Sequence, residues 1–366
     1  MTIQSPSVGF ERVKFQYSRW EGLRMLVVKT SQEPNDSKES GHLNFTHMES
    51  PAPLFEQVVI DITAAGVNRA DVLQAHGHYS PPPEASDVLG LEVAGVVSAV
   101  GRSGSPFRVG DRVMALLDSG GYAEKVAVSE HLVLPIPDRF SFTQAAGIME
   151  AACTVWSNLF DVGGLKPSET VLIHGGSGGV GSFAIQLAAA RGAHVIAVAR
   201  TPERVARCLE LGAHVGFAYQ DDTSDEPFTE RLPHNVRDVT GGQGVDVILD
   251  VLGAAYLDAH LASLATGGRL VVIGLQKGVR GTLNLGRLLE KRASIHGTTL
   301  RSRPLEEKAA LVDAVKRHVL PLLADGSITP IIHTTLPLHA AQKAHTALTS
   351  GDVFGKVVLT MPSHDE

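Results

Sequence analysis

Apolar positions along this chain change their period twice, and the changes outline its architecture. From Leu54 to about Pro137, short apolar runs recur between turn residues. FEQVVIDITAAGV ends at Asn68, LEVAGVVSAVG breaks at Gly101, DRVMALL follows Val109 and Gly110, and AEKVAVSEHLVLPIP closes the series. Strands this short and closely spaced predict a compact, barrel-like β domain. Residues 142–162, which contain TQAAGIMEAACTVWSNLF, place apolar side chains at three- and four-residue steps and predict a helix.

After Lys166 the runs alternate in kind. VLI (171–173) precedes a helix over 181–191, and HVIAVA (194–199) precedes PERVARCLELG, where Pro202 suits a first helical turn and Gly212 a stop. GVDVILDVLG, GGRLVVIGL and ASIHGTT supply three more strands, with AAYLDAHLASLA a helix between the first two. Strands alternating with helices predict a doubly wound parallel sheet, so the fold class is α/β with a β-rich companion domain. An amphipathic helix (LEEKAALVDAVKRHVLPLLADG), a strand-like IIHTTLPL, another helix and KVVLTM complete the chain.

Composition narrows the function classes. At 366 residues the chain exceeds one ordinary core, and 43% hydrophobic with 19% charged residues fits a globular protein. A net charge of -7 speaks against nucleic acid or an anionic membrane as the main partner. Two cysteines, Cys153 and Cys208, exclude a disulfide framework and suit a reducing compartment. The uncharged stretch from Val171 to Ala190 approaches membrane-spanning length, but its glycines and His174 point to strand, turn and helix. At the N-terminus, Arg12, Lys14, Arg19 and Arg24 face Glu11 and Glu21. We read this as a strand-forming extension, or a tail before a start near Met25, of a cytoplasmic protein; a mitochondrial leader is the alternative. SQEPNDSKESGH (31–42) reads as an exposed hairpin loop.

Gly176, Gly178 and Gly181 spell G-x-G-x-x-G, with Gly179 and Val180 inside it, between a predicted strand and helix. The first glycine permits a tight turn, the second lets backbone approach a pyrophosphate, and the third lets helix and strand pack closely. The helix N-terminus offers N–H groups and a positive dipole end to phosphates. About twenty residues on, where an NAD site places an acid for the ribose hydroxyls, stand Arg200 and Thr201, with Arg204 one turn further. A guanidinium there pairs bidentately with a 2′-phosphate, which makes NADPH the expected cofactor; the competing reading is a solvated surface arginine.

The chain resembles the zinc-independent quinone oxidoreductases, the zeta-crystallin branch of the medium-chain dehydrogenases/reductases, and within it the tumour-protein-inducible subgroup. AAGVNRADVLQAHGHYSPPP, LGLEVAGVVSAVG, VGDRVMALLDSGGYAEKVAV, QAAGIMEAACTVW, VLIHGGSGGVGSFAIQLA, LRSR near 300 and FGKVVL carry the likeness, which covers residues 58–359. It implies a GroES-like catalytic domain from residues 1–148 and 299–366, and a Rossmann NADPH-binding domain from 149–298. It implies no metal: where zinc relatives keep ligands, this chain has NRAD (68–71), GLE with Leu91 for the histidine, and MEAAC (149–153). Three or four N, S or O donors in tetrahedral array are not supplied there.

The resemblance places Asn68, Tyr79 and Thr154 at the nicotinamide end of the cleft. Tyr79 matches a donor to a nascent oxyanion, or packs beneath Pro81–Pro83. Leu73 replaces a second tyrosine of the family. Thr154 contacts the nicotinamide amide or caps a local carbonyl. Tyr219 matches the adenine-ribose end, and Gly274, Leu275, Thr298, Phe354, Gly355 and Lys356 match closing loops. Lys356 ranks below Arg200, because it reads equally as a surface base. Glu92, Asp111 and Asp250 read as structural hydrogen-bond partners at strand ends. The expected activity is NADPH-dependent quinone reduction by metal-free hydride transfer. An enone or enal reductase and a non-catalytic, crystallin-like NADPH-binding protein are the alternatives. The expected partner is a small quinone, with neither nucleic acid nor membrane, and a homodimer pairing through the strand near 294–297.

Overall fold

The computed structural model describes residues 24–30, 41–83, 85–220 and 226–362. Strands β1 (Arg24–Thr30) and β2 (Leu43–Glu49) pair antiparallel, with Thr30 opposite Leu43. The loop expected over 31–42 lies mostly outside the described residues, at 31–40, as does the 1–23 leader.

Strands β3 (Gln57–Val67), β4 (Glu92–Val100), β5 (Arg112–Leu116), β6 (Lys125–Ser129) and β7 (Val133–Pro135) form the predicted β-rich sheet. A second sheet holds β8 (Thr170–His174), β9 (His194–Ala199), β10 (Val215–Ala218), β11 (Val245–Asp250), β12 (Leu264–Val272) and β13 (Ser294–Gly297). All its pairings are parallel, in the order β10-β9-β8-β11-β12-β13. That is the Rossmann order, with its switch point between β8 and β11, where doubly wound sheets bind ligands beyond the strand ends. The tail strands β14 (Ile332–Pro337) and β15 (Lys356–Thr360) return to the first sheet, β15 antiparallel to β3 and parallel to β14.

Local sequence accounts for the helices nearest the cleft. Asn68 and Asp71 form a capping box on α1 (Arg69–Ala75), and Ser141 with Gln144 forms another on α2 (Phe142–Ala145). The single helix expected over 142–162 is corrected here. Chain 146–148 breaks it, α3 (Met149–Val155) follows, and Trp156–Val162 continues in wider π-type turns. Gly147 lies where a β-carbon would stand 3.1 Å from Ile332, so the break lets β14 come close. The helix predicted over 305–326 likewise divides into Leu305–His318 and Leu320–Ala324, because Pro321 cannot continue the hydrogen-bond ladder. Helix α4 (Gly179–Ala190) packs on β8, and α5 (Pro202–Glu210) ends at Gly212, whose φ of 104° needs glycine.

Candidate active site

Gly176 lies within the turn its pattern predicts. The left-handed residue of that turn is Gly175 (φ 68°), and a β-carbon on Gly176 would meet Cys208 Sγ at 3.1 Å. Gly181 is the close-packing position: a β-carbon there would lie 2.1 Å from the Gly175 carbonyl oxygen. Gly178 is the N-cap of α4 and supplies no side-chain cap, and a β-carbon there would meet nothing nearer than 3.4 Å. No side chain caps the N–H groups of that helix end, a cradle that also meets the tail through a Gly178–Gly355 bridge.

Three arginines surround the far end of β9. Arg200 Nε lies 3.4 Å from the Tyr219 hydroxyl, and its guanidinium passes over Gly351, where a β-carbon would clash at 1.8 Å. Arg204 donates to Ser177 Oγ (3.2 Å) and to the Val353 carbonyl (2.8 Å). Arg207 stacks on Phe354, 3.6 Å from its centroid. Thr201 is the N-cap of α5 and hydrogen-bonds Glu203. Gly355 N–H donates to the Ser177 carbonyl (2.8 Å), which ties the tail loop to the glycine turn. The structure therefore gathers Arg200, Arg204, Tyr219, Phe354 and Gly355 around one edge of the cradle. Arg207 and Ser177 join them without a sequence signal that separates them from ordinary surface residues.

Deeper in, the largest departure from expectation is Lys356. It is not a surface base: it is 4% exposed, its Nζ pairs with Glu92 at 2.5 Å, and it donates to Asn68 Oδ1 at 2.7 Å. Glu150 Oε2 lies 3.8 Å away. Strand register explains this, because β15 places Val357 opposite Val67 and so brings Lys356 alongside Asn68. Gly66 leaves the space: its β-carbon would stand 2.3 Å from Glu92 Oε1. Burial alone lowers a lysine's pKa, but Glu92 and then Glu150 outweigh it and hold Lys356 above its ordinary value. For Glu150 burial dominates and raises its pKa.

Asn68 also donates to Glu92 Oε1 (3.0 Å), and Thr154 donates to Glu150 Oε1 (3.2 Å) rather than to a carbonyl. Thr298 joins the same wall by donating to Asn158 Oδ1 (2.5 Å). Gly274 packs against the Val251 backbone, while Leu275 is exposed beside Gly253. Asp250 and Asp111 accept backbone N–H bonds at strand ends, as their positions suggest. Tyr79 is half-buried, separate from the Lys356 network and adjacent to Arg301.

A zinc ion does not fit the positions that hold it in zinc relatives. Both polar atoms of Asn68 are engaged, Leu91 has no donor, and burial pushes the Cys153 thiol far above its ordinary pKa. Among the described residues the one cluster of three metal-type donors is Glu56, Glu130 and His131, in which Glu130 is paired with Arg102.

Behind Asn68, Tyr122 OH stands 3.2 Å from both Asp71 Oδ2 and His345 Nε2. Burial raises Asp71 from 3.8 to about 7 and lowers His345 from 6.5 to about 4. The signs oppose. Folded Asp71 holds a proton that the unfolded chain releases, so its stabilising contribution is lost as pH rises towards 7. Neutral folded His345 loses its contribution as pH falls from 6.5 towards 4. Each masks the other. In His345→Gln, stability relative to the parent should fall by about 1.4 kcal/mol per unit as pH rises from about 4.5 to about 6. Urea unfolding at both pH values checks this, and parallel curves would refute the balance.

Two family models match parts of the chain. A family model described as an alcohol dehydrogenase GroES-like domain matches residues 55–138, and one described as a zinc-binding dehydrogenase matches 179–317. A quinone oxidoreductase of Lama guanicoe is 34% identical over 313 residues, covering 85% of this chain and 91% of that protein. A phenolphthiocerol/phthiocerol polyketide synthase polypeptide of Mycobacterium tuberculosis is 33% identical over 88% of this chain, which spans only 14% of that protein. A mycobacterial protein solved in complex with NADPH superimposes with a TM-score of 0.80 at 28% identity, covering 92% of this chain and all of that one. The CurK enoyl reductase superimposes with a TM-score of 0.78 at 28% identity, over 92% and 99% of the two chains.

Proposed function

The chain belongs to the medium-chain dehydrogenase/reductase superfamily of NAD(P)-dependent oxidoreductases, and from that membership we propose that it reduces quinones with NADPH and without a metal. One observation carries this reading: Asn68, at a zinc-ligand position, is locked into the buried network of Lys356 and Glu92, while a guanidinium set surrounds the ribose end of the cradle. Bound NADPH would supply a hydride to the substrate. The chain's own residues do the rest. The α4 N-terminus and glycine turn hold the pyrophosphate, and Arg200 and Arg204 take the 2′-phosphate. Lys356, Asn68 and Thr154 keep a rigid polar wall, and Tyr79 donates its hydroxyl hydrogen towards the substrate oxygen. A quinone suits such a site, because its two-electron product is an aromatic hydroquinone that needs little Lewis-acid assistance. Similarity to the quinone oxidoreductase of Lama guanicoe supports the same choice.

Likeness to the CurK enoyl reductase supports a second reading, in which the hydride goes to the β-carbon of an enone on the same scaffold. A spectrophotometric panel of NADPH with ortho-quinones, para-quinones and enones separates them. Turnover of quinones is expected, and activity confined to enones would overturn the first reading.

The same reading carries a two-fold homodimer. Strand β13 is an open sheet edge, flanked by exposed Leu285, Leu289 and Ile295, which a second copy of the strand would cover. Leu289→Glu should shift sedimentation from dimer to monomer with NADPH affinity unchanged; a parent protein that sediments as a monomer removes the proposal.

A further inference from the structure

Arg301 carries a charge that no direct ion pair among the described residues takes up. It lies four residues past β13 and is 5% exposed. Its Nε donates to the Asp118 backbone carbonyl (2.5 Å) and its Nη1 to Gln74 Oε1 (2.8 Å). Both acceptors are neutral. The Asp118 carboxylate is engaged elsewhere, with Lys308 Nζ at 2.5 Å. The remaining nitrogen, Nη2, is buried and has no hydrogen-bond partner among the described residues. The guanidinium carbon sits 5.6 Å from the centre of the Tyr79 ring, at the substrate end of the proposed site.

Burying a cation with an unmade N–H bond is costly, and a guanidinium is a rigid fork whose idle arm points in a fixed direction. Two arms braced on neutral groups leave the third oriented and the charge uncompensated by any direct ion pair. Such a donor favours an oxygen that bears negative charge. Tyr79 cannot provide that charge, since burial raises its hydroxyl above the ordinary value and keeps it neutral.

We propose that Arg301 Nη2 is the substrate-docking donor of this cleft, and that it selects anionic, ring-hydroxylated quinones over their neutral counterparts. The idea rests on the quinone reading and adds the charge class of the substrate. No bond to hydrogen need break for binding, so the test can be run without turnover.

The experiment titrates the protein, loaded with NADP⁺ so that no hydride is available, with 2-hydroxy-1,4-naphthoquinone, which is ionised at neutral pH, and with its neutral methyl ether. Calorimetry on the unmodified chain should show the anion binding at least about tenfold tighter, as a charge-assisted hydrogen bond implies. Arg301→Met should abolish that preference, and Arg301→Lys should keep part of it, with NADP⁺ affinity unchanged in both. Equal affinities of the unmodified protein for the two naphthoquinones overturn the proposal, and that measurement needs no variant to fold. Undiminished anion preference in a NADP⁺-binding Arg301→Met protein overturns it as well. Anion preference without quinone turnover would instead leave Arg301 as a docking group and remove the proposed reaction alone.

Discussion

Lys356→Met should destabilise the folded protein by about 3–5 kcal/mol, the largest stability effect expected of any single change at this site. The variant keeps an aliphatic side chain of similar length, so packing against Gly179 is largely retained. What it removes is the cation between Glu92 and Glu150, leaving two buried carboxylates and the Asn68 oxygen without their shared donor. Glu92 is fully buried and cannot turn to water. One of the carboxylates must then take up a proton, so the loss should shrink at acidic pH. Guanidinium unfolding of the variant and the parent at about pH 7 and about pH 5 measures both effects. Adding Glu92→Gln to Lys356→Met should recover a substantial part of the loss, since an amide tolerates the site uncharged. A variant as stable as its parent at neutral pH would mean that the lysine is not the counter-ion this geometry makes it.

Arg200→Asp should lower the preference for NADPH over NADH by about 10²–10³-fold, from the loss of a charge-assisted bond of about 1.5–3 kcal/mol and the added repulsion. Arg200 suits this role because it is held from two sides, by the Tyr219 hydroxyl and by the passage over Gly351, and therefore presents its charge in a defined direction. Arg204 is committed to Ser177 and Val353, so it offers only partial compensation. NADH affinity should change little, because an acid at this position suits the unphosphorylated ribose. Fluorescence titration with each reduced coenzyme gives the ratio. Equal losses for both would make Arg200 a bystander and weaken the choice of NADPH.

Local chemistry is what makes so much of the fold readable. The strand of β8, the glycines after it and the apolar face of α4 lie within twenty-one residues, so their relation is written in consecutive positions. Pro202 at the start of α5 and Gly212 at its end act through their own backbone preferences. Sequence and structure part where a local rule meets a tertiary demand. The 142–162 periodicity is real, but the chain turns at 146–148, where Gly147 sits close to Ile332 of β14. The left-handed residue of the turn is Gly175, just before the first glycine of the motif; HGGSGG offers adjacent candidates, and only backbone geometry separates Gly175 from Gly176.

Residue types and their local spacing by themselves determined a two-part α/β chain, a parallel nucleotide-type sheet, a phosphate-ready glycine turn and an arginine where an acid is usual. Tertiary structure alone decided what Lys356, Glu92, Arg301 and Asp71 contact. Lys356 lies 288 positions from Asn68, and Arg301 lies 227 from Gln74. A lysine after a glycine looks the same in sequence whether it faces water or two carboxylates. Burial and pairing of a charge depend on which strand registers against which, and that pairing is a property of the packed core rather than of any short stretch.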